Sequence, residues 1–255
     1  MKIYLQNVVN SLKNYSLSLD KTSLLINKPW ALVDSDSEIQ KLIFKKNKEL
    51  VISKNGQAYV GKWDYFPEAK SLLIDRGKDK ILCNEAYIDE GVLILKLDGT
   101  QNDFYILANQ NLIPDLDVYN YLMEKRRKHL NIDQVKLISG EIMEVIVNDD
   151  NYNQVGNFVL MDLKKVDDGA YRFTNYGLNQ KFIIAKSRIK STVTEVLYKT
   201  KDGRTIVIEQ FNPYYFSKKD EVFINSQLAP SGRYKLEGFS NITVKDGKII
   251  RKGFF

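Results

Sequence analysis

The chain has 255 residues, of which 44% are hydrophobic and 27% are charged, enough apolar sequence for one large domain or two to three small ones. Its net charge of +6 permits an anionic partner but does not demand one, because 32 acidic residues are interspersed with the 38 basic ones. Cys83 and His129 are the only residues of their types, which excludes an internal disulfide and a Cys/His zinc cluster and disfavours a histidine-based catalytic triad. We therefore expect no metal and no cofactor.

Residues 2–19 predict an N-terminal amphipathic helix. Spacings of four, four, three and four residues place five side chains on one helical face: Tyr4, Val8, Leu12, Tyr15 and Leu19. This helix either packs on the body of the fold or docks a partner. We assign residues 1–28 to the helix and the extended segment after it.

The sequence carries no pattern for secretion or for crossing a membrane. Residues 1–7 lack a long apolar core and a small-residue cleavage site, so they do not resemble a signal peptide. No apolar run approaches the roughly 18 to 20 residues that a membrane span needs. These patterns predict a soluble, cytoplasmic protein.

Residues 29–113 predict an antiparallel β-meander. Asn55-Gly56 and Asp98-Gly99 are dipeptides that supply the positive φ angles of tight hairpins. A meander of this length must close into a barrel or stack as a sandwich to cover its hydrophobic face. The predicted strands are Leu42–Phe44, Leu50–Ile52, Gln57–Trp63, Ser71–Ile74, Lys80–Cys83, Val92–Leu97 and Phe104–Leu107.

The meander begins with Trp30, and a Phe44 strand, a Gly56 hairpin and the motif Gly61-Lys62-Trp63 before Leu72–Ile74 follow. This pattern resembles bacterial lipocalin-like domains, in which an early tryptophan closes one end of a barrel and a second Gly-x-Trp precedes a strand. The resemblance implies a barrel whose interior could hold a small apolar ligand. The other interpretation is a filled barrel or sandwich with aromatic side chains in its core: Trp30, Phe44, Trp63 and Phe104. The whole chain also resembles proteins of Bacteroidetes bacteria, which implies no activity.

Residues 114–133 predict a connector helix. Pro114 ends the meander, Asp115–Glu124 brings acidic residues to the first turn, and Lys125–His129 brings basic residues to the last turn, which complements the helix dipole. The same basic run is the densest in the chain and could contact phosphates. The candidate polyanion contacts are Lys125, Arg126, Arg127 and Lys128.

The remaining residues contain the same small β module twice, in residues 134–193 (segment 1) and 194–255 (segment 2). Gly140 and Gly169 are 29 residues apart, and so are Gly203 and Gly232. An offset of 63 pairs further apolar and aromatic positions, and segment 1 has three extra residues where a hairpin loop is expected. The paired positions include Met143 with Ile206, Val145 with Ile208, Tyr152 with Tyr215, Val159 with Val222 and Tyr171 with Tyr234.

The stretch Phe211–Phe216 is the most suggestive surface candidate. Adjacent aromatic residues cannot all point to one face of a strand, so at least one is expected at the surface or in an interface. Because Tyr215 corresponds to Tyr152, we expect Tyr215 to be structural and its neighbours to be functional. The aromatics could anchor a protein partner or stack on single-stranded bases. The candidate partner contacts are Tyr214, Phe216, Lys218 and Lys219.

The sequence contains none of the common nucleotide-binding, serine-hydrolase or zinc-protease motifs. A pair of catalytic carboxylates needs no fixed spacing, so that class of hydrolase stays open. We predict a mainly β, non-catalytic binding or assembly component that acts through contacts with another protein or with its own copies. The alternatives are a small apolar ligand in the meander and nucleic acid on the basic connector.

Overall fold

The structure, a computed structural model, describes residues 8–9, 12, 21–33, 40–100, 103–148, 154–238 and 240–254. The chain divides into two compact units, residues 1–129 (unit 1) and residues 130–255 (unit 2). The strands of both units pair with antiparallel neighbours. Of the predicted helix over residues 2–19, Val8, Val9 and Leu12 lie among the described residues, and they are helical and buried.

The described part of unit 1 contains a closed barrel of eight strands. Each strand pairs with the next, and β1 pairs with β8, which leaves no open sheet edge. The predicted antiparallel meander is confirmed, and it adopts the barrel form through a short first strand that the sequence pattern did not predict. The strands are β1 (Trp30–Leu32), β2 (Gln40–Phe44), β3 (Glu49–Lys54), β4 (Gln57–Phe66), β5 (Ser71–Asp75), β6 (Lys80–Ile88), β7 (Val92–Leu97) and β8 (Phe104–Asn109).

The barrel core is a cluster of buried apolar side chains. In β2 and β3 buried residues alternate with more exposed ones, because successive side chains of a strand point to opposite faces. Phe104, predicted as core, is only half-buried. The buried cluster consists of Leu25, Trp30, Leu42, Phe44, Leu50, Ile52, Trp63, Leu72, Ile74, Cys83, Ile88, Leu93, Leu95 and Leu107.

Two tryptophans are fixed in this core by hydrogen bonds as well as by packing. The indole N–H of Trp30 donates to the carbonyl oxygen of Leu25 at 3.0 Å, and that of Trp63 donates to Lys45 at 2.9 Å. Phe44 packs edge-on against Trp63 with ring centroids 5.3 Å apart. Each buried N–H therefore has a partner, so both rings can be buried without the cost of an unsatisfied donor.

A short helix, α1 (Lys21–Leu25), packs on the barrel core through Leu25. Its Lys21 Nζ lies 3.2 Å from Glu85 Oε1, and both side chains are nearly buried. Tyr65 donates its hydroxyl hydrogen to the same carboxylate at 2.9 Å, and burial together with this hydrogen bond raises the pKa of Tyr65. The shared hydrogen bonds compensate the desolvation of the ion pair, which joins α1 to β6.

The second described helix, α2 (Val118–His129), begins three residues after the predicted start at Asp115. Asp117 acts as the N-cap, since its Oδ1 accepts the backbone N–H of Asn120 at 3.0 Å. The acidic residues therefore precede the first turn, and the basic residues occupy the last turn as predicted.

The described part of unit 2 forms one sheet of thirteen strands. Along its main path the order is β9-β10-β11-β15-β16-β17-β21-β20-β19, with β13 and β14 joined to β15 and the short β12 and β18 paired to β11 and β17. The strands are β9 (Ile132–Lys136), β10 (Ile142–Ile146), β11 (Phe158–Met161), β12 (Lys164–Lys165), β13 (Gly169–Asn175), β14 (Leu178–Ala185), β15 (Arg188–Lys199), β16 (Thr205–Gln210), β17 (Glu221–Ile224), β18 (Gln227–Leu228), β19 (Gly232–Lys235), β20 (Ser240–Lys245) and β21 (Lys248–Phe254).

Segments 1 and 2 have separate cores. Several backbone hydrogen bonds within segment 1 also occur at the matching positions of segment 2. The N–H of Gly140 donates to Leu137 at 3.0 Å, and the N–H of Gly203 donates to Thr200 at 2.9 Å, so the paired glycines close the same turn. Both have positive φ angles, of 96° and 85°, which favour glycine. The segment 1 core consists of Leu137, Met143, Val145, Val159, Val166, Phe173, Phe182, Ile184 and Ile189. The segment 2 core consists of Ile206, Ile208, Val222, Ala229, Tyr234, Leu236, Ile242, Val244 and Ile249.

Strand β15 joins the two segments, because its first part pairs with β14 and its last part pairs with β16. Across it, Lys181 Nζ of segment 1 lies 2.5 Å from Glu209 Oε1 of segment 2, and both side chains are nearly buried. Removing either partner would leave the other charge buried without compensation. This ion pair therefore favours the observed register of the two segments.

Gly61 explains why the Gly-x-Trp motif needs its glycine. A Cβ at this position would overlap the backbone carbonyl oxygen of Asp75 on the neighbouring strand β5. Backbone atoms cannot move aside as a flexible side chain can, so the barrel admits only glycine at this point of close approach.

We expect Gly61→Ala to destabilise unit 1 by about 3 kcal/mol, since the added methyl group forces two paired strands apart. The measurement is urea unfolding followed by circular dichroism, which reports on both units, and by fluorescence of the two tryptophans, which reports on unit 1. Gly169→Ala is the matched control, because a Cβ there meets no atom closer than 3.6 Å. An equal loss of stability in both variants would contradict this explanation of the motif.

Candidate interaction site

The loop between β16 and β17, residues 211–219 (the aromatic loop), presents three large side chains to solvent. The exposed fractions are 61% for Phe211, 87% for Tyr214 and 56% for Tyr215. Large aromatic side chains are usually more buried than this. Their grouping in one short loop produces an exposed apolar surface of the kind found at interaction sites.

Asp220 holds the aromatic loop in place. Its side chain is buried, and its Oδ2 accepts a hydrogen bond from the backbone N–H of Ser217 at 2.6 Å. The N–H of Lys219 donates to the carbonyl oxygen of Ile249 of β21 at 2.8 Å. These contacts tie the C-terminal end of the loop to the segment 2 core.

Segment 1 has a buried polar residue 63 positions before Asp220. Asn157 is buried, and its Oδ1 accepts the backbone N–H of Asn148 at 3.4 Å. Buried polar side chains therefore lie at the two positions that the offset of 63 pairs. The residues that they carry differ, since residues 149–153 of segment 1, which lie outside the described residues, include two aspartates and only one aromatic residue.

The structure reverses our assignment of two neighbouring aromatics. Phe216, predicted as an exposed contact, packs edge-on against Tyr198 with ring centroids 5.5 Å apart and borders the segment 2 core. Tyr215, predicted as structural, is exposed, and the Nζ of Lys252 lies 5.8 Å from its ring centroid. The register of an irregular loop does not follow strand alternation, so the sequence offset could not decide which ring points inward.

Three lysines in and beside the aromatic loop (the cationic rim) add positive charge to this surface. Lys218 and Lys219, both predicted as partner contacts, are exposed. Lys252 of β21 is the third, since its Nζ lies 3.5 Å from the carbonyl oxygen of Phe216 and 5.8 Å from the ring centroid of Tyr215. Sequence reasoning included Phe211 in the candidate stretch but did not name it as a contact. It missed Lys252, because no local signal marks a residue that is 36 positions from Phe216.

The basic connector does not present its four candidate residues on one open face. Arg126 is buried, with 2% of its surface exposed, and Lys125 Nζ lies 2.7 Å from Glu90 Oε1. The Nε–H of Arg127 points to the carbonyl oxygen of Met123 at 3.4 Å, while Lys128 is exposed. Most of this charge takes part in contacts within unit 1.

The thiol of Cys83, in the barrel core, is not a reactive nucleophile. Cys83 is buried in the filled core, and burial raises the pKa of its thiol to about 11, so the thiol stays protonated near neutral pH. Within the described residues no group of three or more His, Cys, Asp and Glu side chains could hold a metal ion. None of the helices described is long and apolar enough to cross a membrane.

Comparison with known proteins gives no assignment, because no family model matches the chain and no curated protein or solved structure is significantly similar to it. The site must therefore be interpreted from its own geometry. That geometry comprises three exposed aromatic rings, a cationic rim and a loop fixed by a buried carboxyl group.

Burial raises the pKa of Asp220 above its ordinary value of 3.8. Because the folded state binds this proton more tightly than the unfolded chain, the group's contribution to stability is fully present below about pH 4. That contribution is lost as the pH rises through the raised pKa. We expect the stability of the wild type minus that of Asp220→Asn to fall as the pH rises from 4 to 7.

The measurement is the free energy of unfolding of both proteins, from urea unfolding at each pH. Asparagine is the matched replacement because Asn157 occupies the equivalent buried position in segment 1. A difference that stays constant, or that grows with pH, would show that the carboxyl group is not desolvated in the folded protein.

Proposed function

We propose that this protein is a non-catalytic binding or assembly component that recognises another protein through the aromatic loop. The observation that carries the proposal is the joint exposure of Phe211, Tyr214 and Tyr215 on a backbone held by Asp220. Tyrosine and phenylalanine supply large contact areas and are enriched in the cores of protein interfaces. A loop that is already ordered loses little conformational entropy on binding, which leaves more of the contact energy for affinity.

The charges of the loop favour a partner with an acidic surface. Lys218 and Lys219 belong to the same loop as the rings, Lys252 Nζ lies 5.8 Å from the ring centroid of Tyr215, and the carboxyl group of Asp220 is buried. Complementary charges at the rim of an interface accelerate association and exclude partners of the wrong sign. The aromatic rings would then provide most of the affinity, and the lysines would orient the partner.

We further propose that segments 1 and 2 are copies of one module that serves as a scaffold. The support is the equivalent turns at Gly140 and Gly203 and the equivalent loop anchors Asn157 and Asp220. Shared residues maintain the frame, and the loop residues differ between the copies. A specific contact is therefore carried by one loop rather than by both.

A lipocalin-like relationship for unit 1 also remains a proposal. The closure of eight antiparallel strands and the core position of Trp30 support it. The apolar side chains that fill the barrel leave a small-ligand role for this unit without a supporting observation. We assign the barrel a structural role within the proposed component.

The proposal is tested with the double variant Tyr214→Ala, Tyr215→Ala. A partner is first captured with the wild-type chain as bait, and its affinity for purified wild type and variant is then measured. Loss of two interface anchors is expected to cost about 2 kcal/mol or more, about 30-fold in Kd. Sedimentation of the wild-type chain over a range of concentrations detects the case in which the partner is a second copy.

Tyr176→Ala is the matched control, because Tyr176 is 98% exposed but lies on the β13–β14 hairpin, outside the aromatic loop. This control is expected to bind as the wild type does. Equal affinity of the double variant and the wild type would refute the proposal. So would a chain that stays monomeric and captures no protein.

A further inference from the structure

A second surface of segment 2, separate from the aromatic loop, forms a small pocket with a volume of about 300 Å³. It lies between the turn that Gly203 closes and strand β19, at the opposite end of β16 from the aromatic loop. The pocket is lined by Thr200, Lys201, Asp202, Arg204, Arg233, Tyr234 and Lys235.

Four of the seven lining residues are cationic, and all four are exposed: Lys201, Arg204, Arg233 and Lys235. The ring of Tyr234 is buried beneath them, and the guanidinium carbon of Arg204 lies 5.5 Å from the ring centroid. Stacking on an aromatic ring orients a guanidinium group. Arg204 Nε and Nη2 both donate to Asp202 Oδ2, so Nη1 is the nitrogen of this group that can donate to a ligand.

The one carboxylate in the pocket is already occupied. Asp202 Oδ2 lies 2.5 Å from the Arg204 Nη2 atom, and Asp202 also accepts the hydroxyl hydrogen of Thr200. The hydrogen bonds from Arg204 and Thr200 lower the pKa of Asp202 far below its ordinary value, so it stays ionised. The lining of the pocket thus carries four cationic side chains and one carboxylate.

Segment 1 has the same frame without this charge. The N–H of Ile138 donates to Arg172 at 2.9 Å, as the N–H of Lys201 donates to Lys235 at 2.8 Å. Tyr171 and Tyr234 each donate a hydroxyl hydrogen to the carbonyl oxygen four residues earlier, at 3.0 and 2.7 Å. At the positions of Lys201, Asp202, Arg204 and Arg233, segment 1 has Ile138, Ser139, Glu141 and Ala170.

The cations of the pocket are not needed for the turn and the strand contact to form. Because segment 1 forms the turn and the strand contact with Ile138, Glu141 and Ala170, the frame does not need cations at these positions. Gathering four like charges around one ring raises the free energy of the folded chain through repulsion. A multivalent anion would relieve that repulsion, and arginine matches phosphate oxygens with paired N–H donors.

We propose that this pocket of segment 2 binds a phosphoryl group. Its volume is at the small end of ligand sites, which suits a phosphate or diphosphate with the first atoms attached to it. The phosphoryl group belongs either to a small phosphate ester or to the backbone of a nucleic acid, and the chemistry of recognition is the same for both. The proposal does not depend on the aromatic loop.

The test measures calorimetric binding of pyrophosphate and, separately, of a 12-residue single-stranded oligonucleotide to the full chain. The pocket variant carries the residues of segment 1: Lys201→Ile, Arg204→Glu and Arg233→Ala. We expect this variant to bind at least tenfold more weakly than the wild type. Asp202→Ser, also taken from segment 1, is expected to strengthen binding several-fold because it removes the competing carboxylate.

The matched control is Lys164→Glu with Lys165→Glu on the exposed strand β12 of segment 1, which changes the net charge by the same amount as the pocket variant but leaves both the pocket and the aromatic loop intact. It is expected to bind as the wild type does. Binding of pyrophosphate assigns the site to small phosphate esters, and pocket-dependent binding of the oligonucleotide alone assigns it to a nucleic-acid backbone. Thermal unfolding of each variant confirms that it is folded.

Two results would overturn the proposal: binding of neither probe to the wild type, or an equal loss of binding in the pocket variant and the control. Failure of the aromatic-loop proposal is recognised separately, because Tyr214→Ala with Tyr215→Ala leaves every residue that lines the pocket in place.

Discussion

The need to pair backbone hydrogen-bonding groups is the constraint on which both units depend. An open strand edge exposes unpaired N–H and C=O groups, and the barrel in the described part of unit 1 has no such edge. Unit 1 returns its last strand β8 to β1 and closes the barrel. Unit 2 continues its sheet through β15, which serves both segments. The cores follow from this pairing, because strand alternation then directs one set of side chains inward.

Segments 1 and 2 share backbone contacts but differ in the side chains that they carry. Asn157 and Asp220 are both buried, at positions that the offset of 63 pairs, and each accepts a backbone N–H. The turns at Gly140 and Gly203 also have the same backbone hydrogen bonds. Around these turns, segment 1 has neutral or acidic residues at three positions where segment 2 has cations. Both sites that we propose lie in segment 2, where its residues depart from those of segment 1.

Local patterns predicted much of the fold. Dipeptides such as Asn55-Gly56 require positive φ angles, so the hairpins of the meander could be placed, and most of the strands were found between them. The start of α2 was placed at Asp115 rather than Val118, because the capping role of Asp117 is decided by its hydrogen bond to Asn120. The choice between barrel and sandwich could not be made, since both satisfy the same alternation and differ only in whether the first and last strands meet.

The sequence by itself determined the strand and turn pattern, the paired glycines and the aromatic run, because these depend on near neighbours in the chain. The tertiary structure alone decided that β1 meets β8, that Tyr215 faces outward while Phe216 packs on Tyr198, and that Arg233 stands beside Arg204. Each of these facts joins residues distant in sequence or fixes the direction of a side chain in an irregular loop. The local periodicity of the sequence encodes neither long-range contacts nor side-chain directions in irregular loops. Both are decided only when packing and hydrogen bonding select one arrangement of the whole chain.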